Sequence, residues 1–297
     1  MEINVPDLSS LEVYHHLTHL VAPRPIALVS TISKDGVVNL SPFSFFNLFS
    51  SNPPIVIFSP LLRIRDTTRK HTLHNVMEVP EVVINIVTKD IAAQASLASC
   101  EYEDGVDEFI KAGFEKERSV KVTPPMVKEA KAKLECRVTE IKPLGTGGGA
   151  GNLVICEVLY IHIADEVLNE DHTVNPAKLH LAARLGGDFY GEINRENLFK
   201  LPKPGKNSGI GVDNLPDFIR NSNLFSCNDL ARLAMIERLP EFDPLYTDAR
   251  INAIVSGLPQ NKKCMKKEIC AYASELLNQN QLHKAWQVVG KMQWFME

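Results

Sequence analysis

Two rhythms of apolar positions divide the chain. Over the first two-thirds, short β-branched runs are separated by turn residues, and over the last third apolar residues recur every three to four positions. Residues 26–33 (IALVSTIS) form an apolar run directly after Pro23-Arg24-Pro25, and Asp35-Gly36 supplies a hairpin turn into a return strand at 37–43. Pro53-Pro54 punctuates before a third strand at 55–59 (IVIFS), and residues 82–87 (VVINIV) are a fourth. Residues 134–141 and 153–163 read as a long hairpin around the glycines of 145–151. Short helices are predicted near 72–78, 91–99 and 106–112. Strands in this order, joined by tight turns and short helices, do not repeat a βαβ unit, and a closed or partly closed antiparallel barrel suits them better.

Near residue 200 the texture changes. Residues 201–209 (LPKPGKNSG) read as a linker, followed by helices at 215–221, 228–238, 266–278 and 281–296. Ser226 or Asn228 caps the second of these, and Asn278 to Asn280 separates the last two. Leu282, Ala285, Trp286, Val289, Met292 and Met296 recur at helical spacing, a stripe that reads as core or interface. The expected division is a β-rich domain over 1–200 and a helical extension over 206–297. The stripe leads to the further expectation that the extension docks on the barrel.

Composition narrows the class. The 297 residues are 44% apolar and 23% charged, which excludes disordered and coiled-coil readings. No run approaches ~18 uncharged apolar residues, so no membrane helix is expected, and the acidic N-terminus without an apolar stretch reads as cytoplasmic. Residues 1–199 hold 19 Lys/Arg against 26 Asp/Glu, and residues 200–297 hold 13 against 10. Neither half has the basic stripe of a nucleic-acid binder, and Lys262, Lys263, Lys266 and Lys267 read as the solvated face of a helix. The six cysteines form no CxxC pair, so structural zinc is not expected and the thiols should be reduced. Cys136 and Cys156 are placed to face each other across the long hairpin.

Several motif readings fail. Residues 145–151 (GTGGGAG) are rich in glycine, but a dinucleotide fingerprint needs a helix after it, and a strand follows here. They read as a flexible hairpin loop, with approach to a ligand from the rim as the secondary reading. His15 and His19 have i, i+4 spacing without a third ligand, so surface or interface histidines are the reading and no metal is expected. No GxSxG or Walker A pattern is present.

Residues 22–60 resemble the flavin reductase-like family of FMN-binding split barrels, the group that includes flavoredoxin and the reductase components of two-component flavin monooxygenases. The resemblance rests on Pro23-Arg24-Pro25, on the run from Asn39 through Ser41-Pro42-Phe43-Ser44 to Asn47, and on Pro53-Pro54 leading to Ser59. It continues in Arg65 and Lys70-His71-Thr72, similar to a KDT-type phosphate segment with His71 in the acidic place, and in Arg184-Leu-Gly-Gly-Asp-Phe-Tyr190. It covers roughly residues 10–195. It implies a mainly β, antiparallel Greek-key split barrel with short peripheral helices, to which the α-helical C-terminal extension is added.

The resemblance also implies a homodimer with FMN, or FAD in its place, near the subunit interface, and NAD(P)H as a transient reductant. Ser59, Arg65, Lys70 and Thr72, at a strand end and a helix start, suit a flavin phosphate. The stretch Ser41, Pro42, Phe43, Ser44 and Asn47 suits the ring, because Pro42 interrupts the ladder and leaves main-chain groups free. Arg24 is expected as a donor to the pyrimidine edge, and Thr72 or His71 as the helix cap. No side chain stands out as a general acid or base, in keeping with flavin chemistry, where the cofactor carries the reaction. The implied activity is NAD(P)H-dependent flavin reduction. The alternatives are an electron carrier with tightly bound FMN, and a non-enzymatic binding or scaffold protein acting through the helical tail.

Overall fold

A computed structural model describes residues 1–202, 209–257 and 261–295. The chain divides into two compact units, Met1–Leu198 and Phe199–Glu297. Most of the 201–209 linker, Met296, and the side chains of Trp294 and Phe295 lie outside what is described.

The first unit opens with helix α1 (Ser10–Leu20), which the sequence analysis left unassigned. A seven-stranded, wholly antiparallel sheet follows. In chain order its strands are β2 (Ala27–Ile32), β3 (Val38–Phe43), β4 (Phe46–Ser51), β5 (Pro54–Phe58), β6 (Glu81–Ile86), β9 (Ala132–Pro143) and β10 (Asn152–Ile163). In space they run β3-β2-β6-β9-β10-β5-β4. Consecutive strands β3 and β4 therefore form opposite edges, yet only Ser44 and Phe45 separate them. A two-residue connection reaches across that gap only if the sheet curls until its edges nearly meet. The result is an open barrel with a seam at Ser44-Phe45, the split barrel expected from the resemblance.

Two small sheets flank it. One joins β1 (Arg24–Pro25), β11 (Leu181–Arg184) and β12 (Tyr190–Ile193), and the other pairs β7 (Lys116–Glu117) with β8 (Met126–Val127). The short helices are α2 (His71–Glu78), α3 (Ala92–Leu97), α4 (Glu108–Ala112) and α5 (Pro176–Leu179).

The alternation along β2 explains why this sheet is buried on both faces. Ala27 and Val29 join Phe43, Phe58, Ile84, Val154 and Leu73 of α2 in one core. Ile26 and Leu28 point the other way, into a second core with Leu40, Ile91, Phe109 and Val127. Cys136 and Cys156 are buried and unpaired with each other. A bulge between Ile155 and Cys156 sets Cys156 opposite Val138 and Cys136 opposite Val158, so the two do not face each other directly. Burial pushes the Cys136 thiol up to about 12.

The second unit is helical: α6 (Asp217–Arg220), α7 (Cys227–Leu233), α8 (Ala249–Gly257), α9 (Lys262–Asn278) and α10 (Leu282–Gly290). Ser226 caps α7 in a reciprocal capping box with Asp229. Trp286, Val289 and Met292 sit in a core with Leu233, Ile269 and Leu277, and Trp286 donates its ring N–H to the Leu233 carbonyl at 3.2 Å. Gln287 pins the loop before α8 through Asp243 and Glu241. The apolar stripe is thus consumed inside the helical unit itself. It no longer argues for docking on the barrel.

Candidate functional site

The seam opens onto a cavity of about 460 Å³. Pro42, Phe43, Ser44, Ser59, Arg65 and Lys70, six of the residues singled out from sequence, line it together. Arg24, Ser44, Asn47 and Ser59 line an adjoining cavity of about 730 Å³, so Ser44 and Ser59 belong to both. Ser41, Lys70 and Thr72 border a narrow recess of about 30 Å³. The Ser59 main-chain N–H donates to the Phe45 carbonyl at 2.8 Å, which carries the β4–β5 ladder up to the seam.

The cationic end is built by a tight loop. Arg63 and Thr68 bond through their main chains, and Thr67 adopts a positive φ at the turn. Asp66 accepts from the Thr68 hydroxyl and N–H, which hold its carboxyl at about 2. This presents Arg63 and Arg65 to the cavity, where Glu101 bridges them at 3.1 and 2.6 Å. Arg63, Glu101 and Tyr14 also line the cavity and were not anticipated from sequence. Lys70, the residue before α2, makes no side-chain cap. Its Nζ lies 5.3 Å from the centroid of the Phe43 ring. Burial, and then the neighbouring Arg63, push its pKa below the ordinary lysine range. Among the described residues no carboxylate pairs with it.

Thr72 plays a different part from the one expected. Its hydroxyl is fully buried and donates to Asn39 Oδ1 at 2.7 Å, and it does not cap the helix. Asn39 in turn donates to Glu108 Oε1 at 2.8 Å, while Glu108 Oε2 accepts the Leu40 N–H at 3.0 Å. A carboxylate from α4 thereby closes the free side of edge strand β3, satisfying a donor that no strand pairs with. Burial raises the Glu108 pKa, against the pull of these hydrogen bonds.

Arg24 is likewise committed. It is 8% exposed and donates to the carbonyls of Thr18 and Val21 at 2.5 Å and of Leu185 at 3.0 Å, with Ser44 Oγ at 3.5 Å. The expected donor to a ring edge is instead a clamp on the last carbonyls of α1 and on the Arg184–Gly187 loop. That loop meets α1 closely: a Cβ on Gly186 would lie 2.1 Å from the His19 ring. His19 Nδ1 donates to the His15 carbonyl at 2.6 Å, and the two rings lie tilted with their centroids 4.3 Å apart. Both histidines are exposed, and no metal-holding cluster occurs among the described residues. Asn47 is exposed on β4 and is bonded to the next main-chain N–H. The glycine loop is the β9–β10 turn, pressed so close that a Cβ on Gly148 would lie 2.5 Å from the Ile64 carbonyl.

The comparisons agree with this architecture. Residues 20–180 match the Flavin reductase like domain, and the chain belongs to that family. It is 37% identical to an uncharacterized protein of Aquifex aeolicus over 64% of this chain and 94% of the relative. Nitrilotriacetate monooxygenase component B from Bacillus cereus superposes with a TM-score of 0.63 at 28% identity, covering 68% of this chain and 98% of that one. A protein with a split barrel domain from Shewanella frigidimarina gives a TM-score of 0.58 at 25% identity, covering 68% and 99%. No described helix is long and apolar enough to cross a membrane.

Proposed function

We propose that the seam cavity binds FMN, with FAD as the alternative flavin, and that the protein reduces flavin with NAD(P)H. Lys70 carries the reading. It is a half-buried ammonium at the start of α2 that makes no ion pair, the pull of Glu101 being outweighed by burial and Arg63, in a cavity that Ser59 also lines. A phosphate ester supplies the missing charge and takes up free N–H groups of the helix start. Arg63 and Arg65 extend the positive side. The larger cavity, walled by Phe45, Phe46 and Asn47, suits a flat ring, and the main chain of the β3 edge suits its hydrogen-bonding rim.

A bound flavin supplies hydride acceptance and delivery. The chain's own task is to bind and orient it. Arg24 fixes α1 and Ser44 in register, Glu108 and Asn39 hold the β3 edge, and the apolar walls exclude water. No side chain is assigned as an acid or base. The reading extends to a homodimer, supported by Leu48 and Phe49, which stand 64% and 63% exposed on edge strand β4, with Phe49 lining the larger cavity. It also places the protein in the cytoplasm, supported by six free thiols.

The test is an absorption spectrum of the purified protein, followed by anaerobic addition of NADH and NADPH separately. Bleaching with release of reduced flavin supports the reductase. Bleaching without release favours the electron carrier. A colourless protein that ignores added FMN overturns the reading and favours a binding role for the helical unit.

A further inference from the structure

A fourth cavity, of about 510 Å³, lies between α1 and the glycine-rich β9–β10 turn. Val13 and Leu17 of α1 form one wall, Leu61 and Ile64 the floor, and the bare main chain of Gly147 to Gly149 the opposite wall. Tyr14, Phe45, Leu61 and Ile64 line both this cavity and the seam cavity, and the Tyr14 and Phe45 rings stand 6.3 Å apart where the two meet. No charged side chain lines it among the described residues. This separates it sharply from the seam cavity, whose lining includes Arg63, Arg65, Lys70 and Glu101.

The walls are fixed in place. The Ser9–Glu12 capping box holds the start of α1, and Arg24 holds its last carbonyls. The glycine turn is tied to the floor by Leu62 N–H to the Ala150 carbonyl and Gly149 N–H to the Leu62 carbonyl, both at 2.9 Å. A Cβ at position 148 has no room, so the close approach of turn to floor depends on glycine there. A preformed apolar hollow of this size is the ordinary form of a small-molecule site. The hydroxyls of Tyr14 and Ser10 make no hydrogen bond among the described residues and are the polar side-chain groups left to orient a ligand.

We infer that this cavity is a second binding site, for a neutral, largely apolar molecule of up to three rings bearing a hydrogen-bonding group. The lining offers nothing to pair with a carboxylate or a pyrophosphate, and desolvating either there without a partner is costly. An organic anion or a dinucleotide is therefore a poor occupant. That such a molecule would stand beside a flavin rests on the function proposed above; the ligand class rests on the lining alone.

The experiment uses the full chain without flavin and N-phenyl-1-naphthylamine, an uncharged fluorescent probe. Saturable enhancement is expected, with 1-naphthol displacing the probe at least about tenfold better than 1-naphthoate. Val13→Trp, which fills this cavity and leaves the seam lining untouched, should weaken the probe by at least about tenfold while melting temperature and FMN affinity stay as in the parent. Leu8→Trp, entering from the other end, replaces it if Val13→Trp does not fold. Absence of saturable binding, equal displacement by the anion, or indifference to both variants overturns the inference. A loss of self-association in Val13→Trp without any probe binding does so too, and assigns the cavity to a second copy. FMN titration is run in parallel. Probe binding without FMN binding retires the flavin reading and keeps the cavity; FMN binding without probe binding does the reverse.

Discussion

Lys70 Nζ stands 5.3 Å from the centroid of the Phe43 ring with no carboxylate paired to it. A half-buried ammonium over an aromatic face gains some cation–π attraction, but that does not replace water and a counterion. On the proposed reading an anionic phosphate takes the place of that counterion. Lys70→Ala should remove one charge-assisted contact, on the order of 1.5–3 kcal/mol, and weaken FMN by roughly 10- to 150-fold. Fluorescence quenching titration of FMN checks this, and unchanged affinity in a well-folded variant removes Lys70 from the site.

The same residue sets an alkaline limit. Burial, then Arg63, favour the neutral amine and lower the pKa. The ammonium contact is complete at neutral pH and disappears as pH rises through that lowered value, before an ordinary lysine would lose its proton. In the free protein the sign is reversed: charging Lys70 costs folding energy, so its contribution becomes more favourable as pH climbs from the lowered value toward 10.5. FMN affinity measured from neutral to alkaline pH should fall in the parent and stay flat in Lys70→Arg, because guanidinium keeps its charge. A parallel decline in both places the titrating group elsewhere.

Gly186 and His19 offer a test of how the Arg184–Gly187 loop is held. The methyl of Gly186→Ala has no space beside the His19 ring, and overpacking of this kind costs about 1–3 kcal/mol. In a His19→Ala background the same change should be nearly neutral. Urea unfolding of the two single variants and the double variant gives the coupling. Additive costs would show that the clash is relieved by loop movement rather than resisted by α1.

The barrel was legible in sequence because its strands are β-branched runs ended by Pro, Asp-Gly or Gly clusters, and β2, β3, β5, β6, β9 and β10 all lie where that pattern puts them. Helix α1 was missed although Ser9 and Glu12 form a capping box; with Leu17 and Leu20 exposed, its apolar residues do not make one buried stripe. Strand β4 was missed because it is an edge with an exposed face. The site's residues were identifiable by type, but their bonding was not. Thr72 and Arg24 carry the groups a ligand wants, and only the fold reveals that Asn39 and the carbonyls of Thr18, Val21 and Leu185 already hold them. Glu101 is brought in by a long-range contact with Arg63 that no local spacing encodes, whereas Arg63 is placed by the same tight loop as Arg65 and was overlooked.

Glu135 sets an acid limit on stability. It is fully buried, and its carboxylate accepts the main-chain N–H groups of Val120 at 2.9 Å and Val122 at 3.1 Å, that of Lys121 between them, and His162 Nε2 at 2.6 Å. Burial opposes the charge, but these bonds outweigh it and the pKa falls below its ordinary 4.5. A depressed carboxylate contributes stability that is complete above the ordinary value and lost as pH falls toward the lowered one. Glu135→Gln should cost about 1–3 kcal/mol at pH 7, and the gap to the parent should narrow in acid. Urea midpoints at pH 7 and below pH 4.5 measure it; a gap that widens in acid refutes this assignment.

The last prediction concerns the helical unit. The barrel's two cores draw all their buried members from residues 26–182, and the helical core draws its own from residues 215–292. Trp286, Val289 and Met292, each worth ~1.5–3 kcal/mol when buried, are already covered by α7 and α9 neighbours such as Leu233 and Ile269. Neither unit then needs the other's apolar surface to complete its core, and cooperativity should stop at each core's boundary. Calorimetry of the full chain should resolve two transitions, and a chain ending at Leu198 should retain one of them at its original temperature. Leu233→Ala, which opens a cavity in the helical core, should cost about 2–5 kcal/mol and lower only the other transition. A single transition that Leu233→Ala shifts as a whole would mean that the two units unfold together through contacts outside these cores.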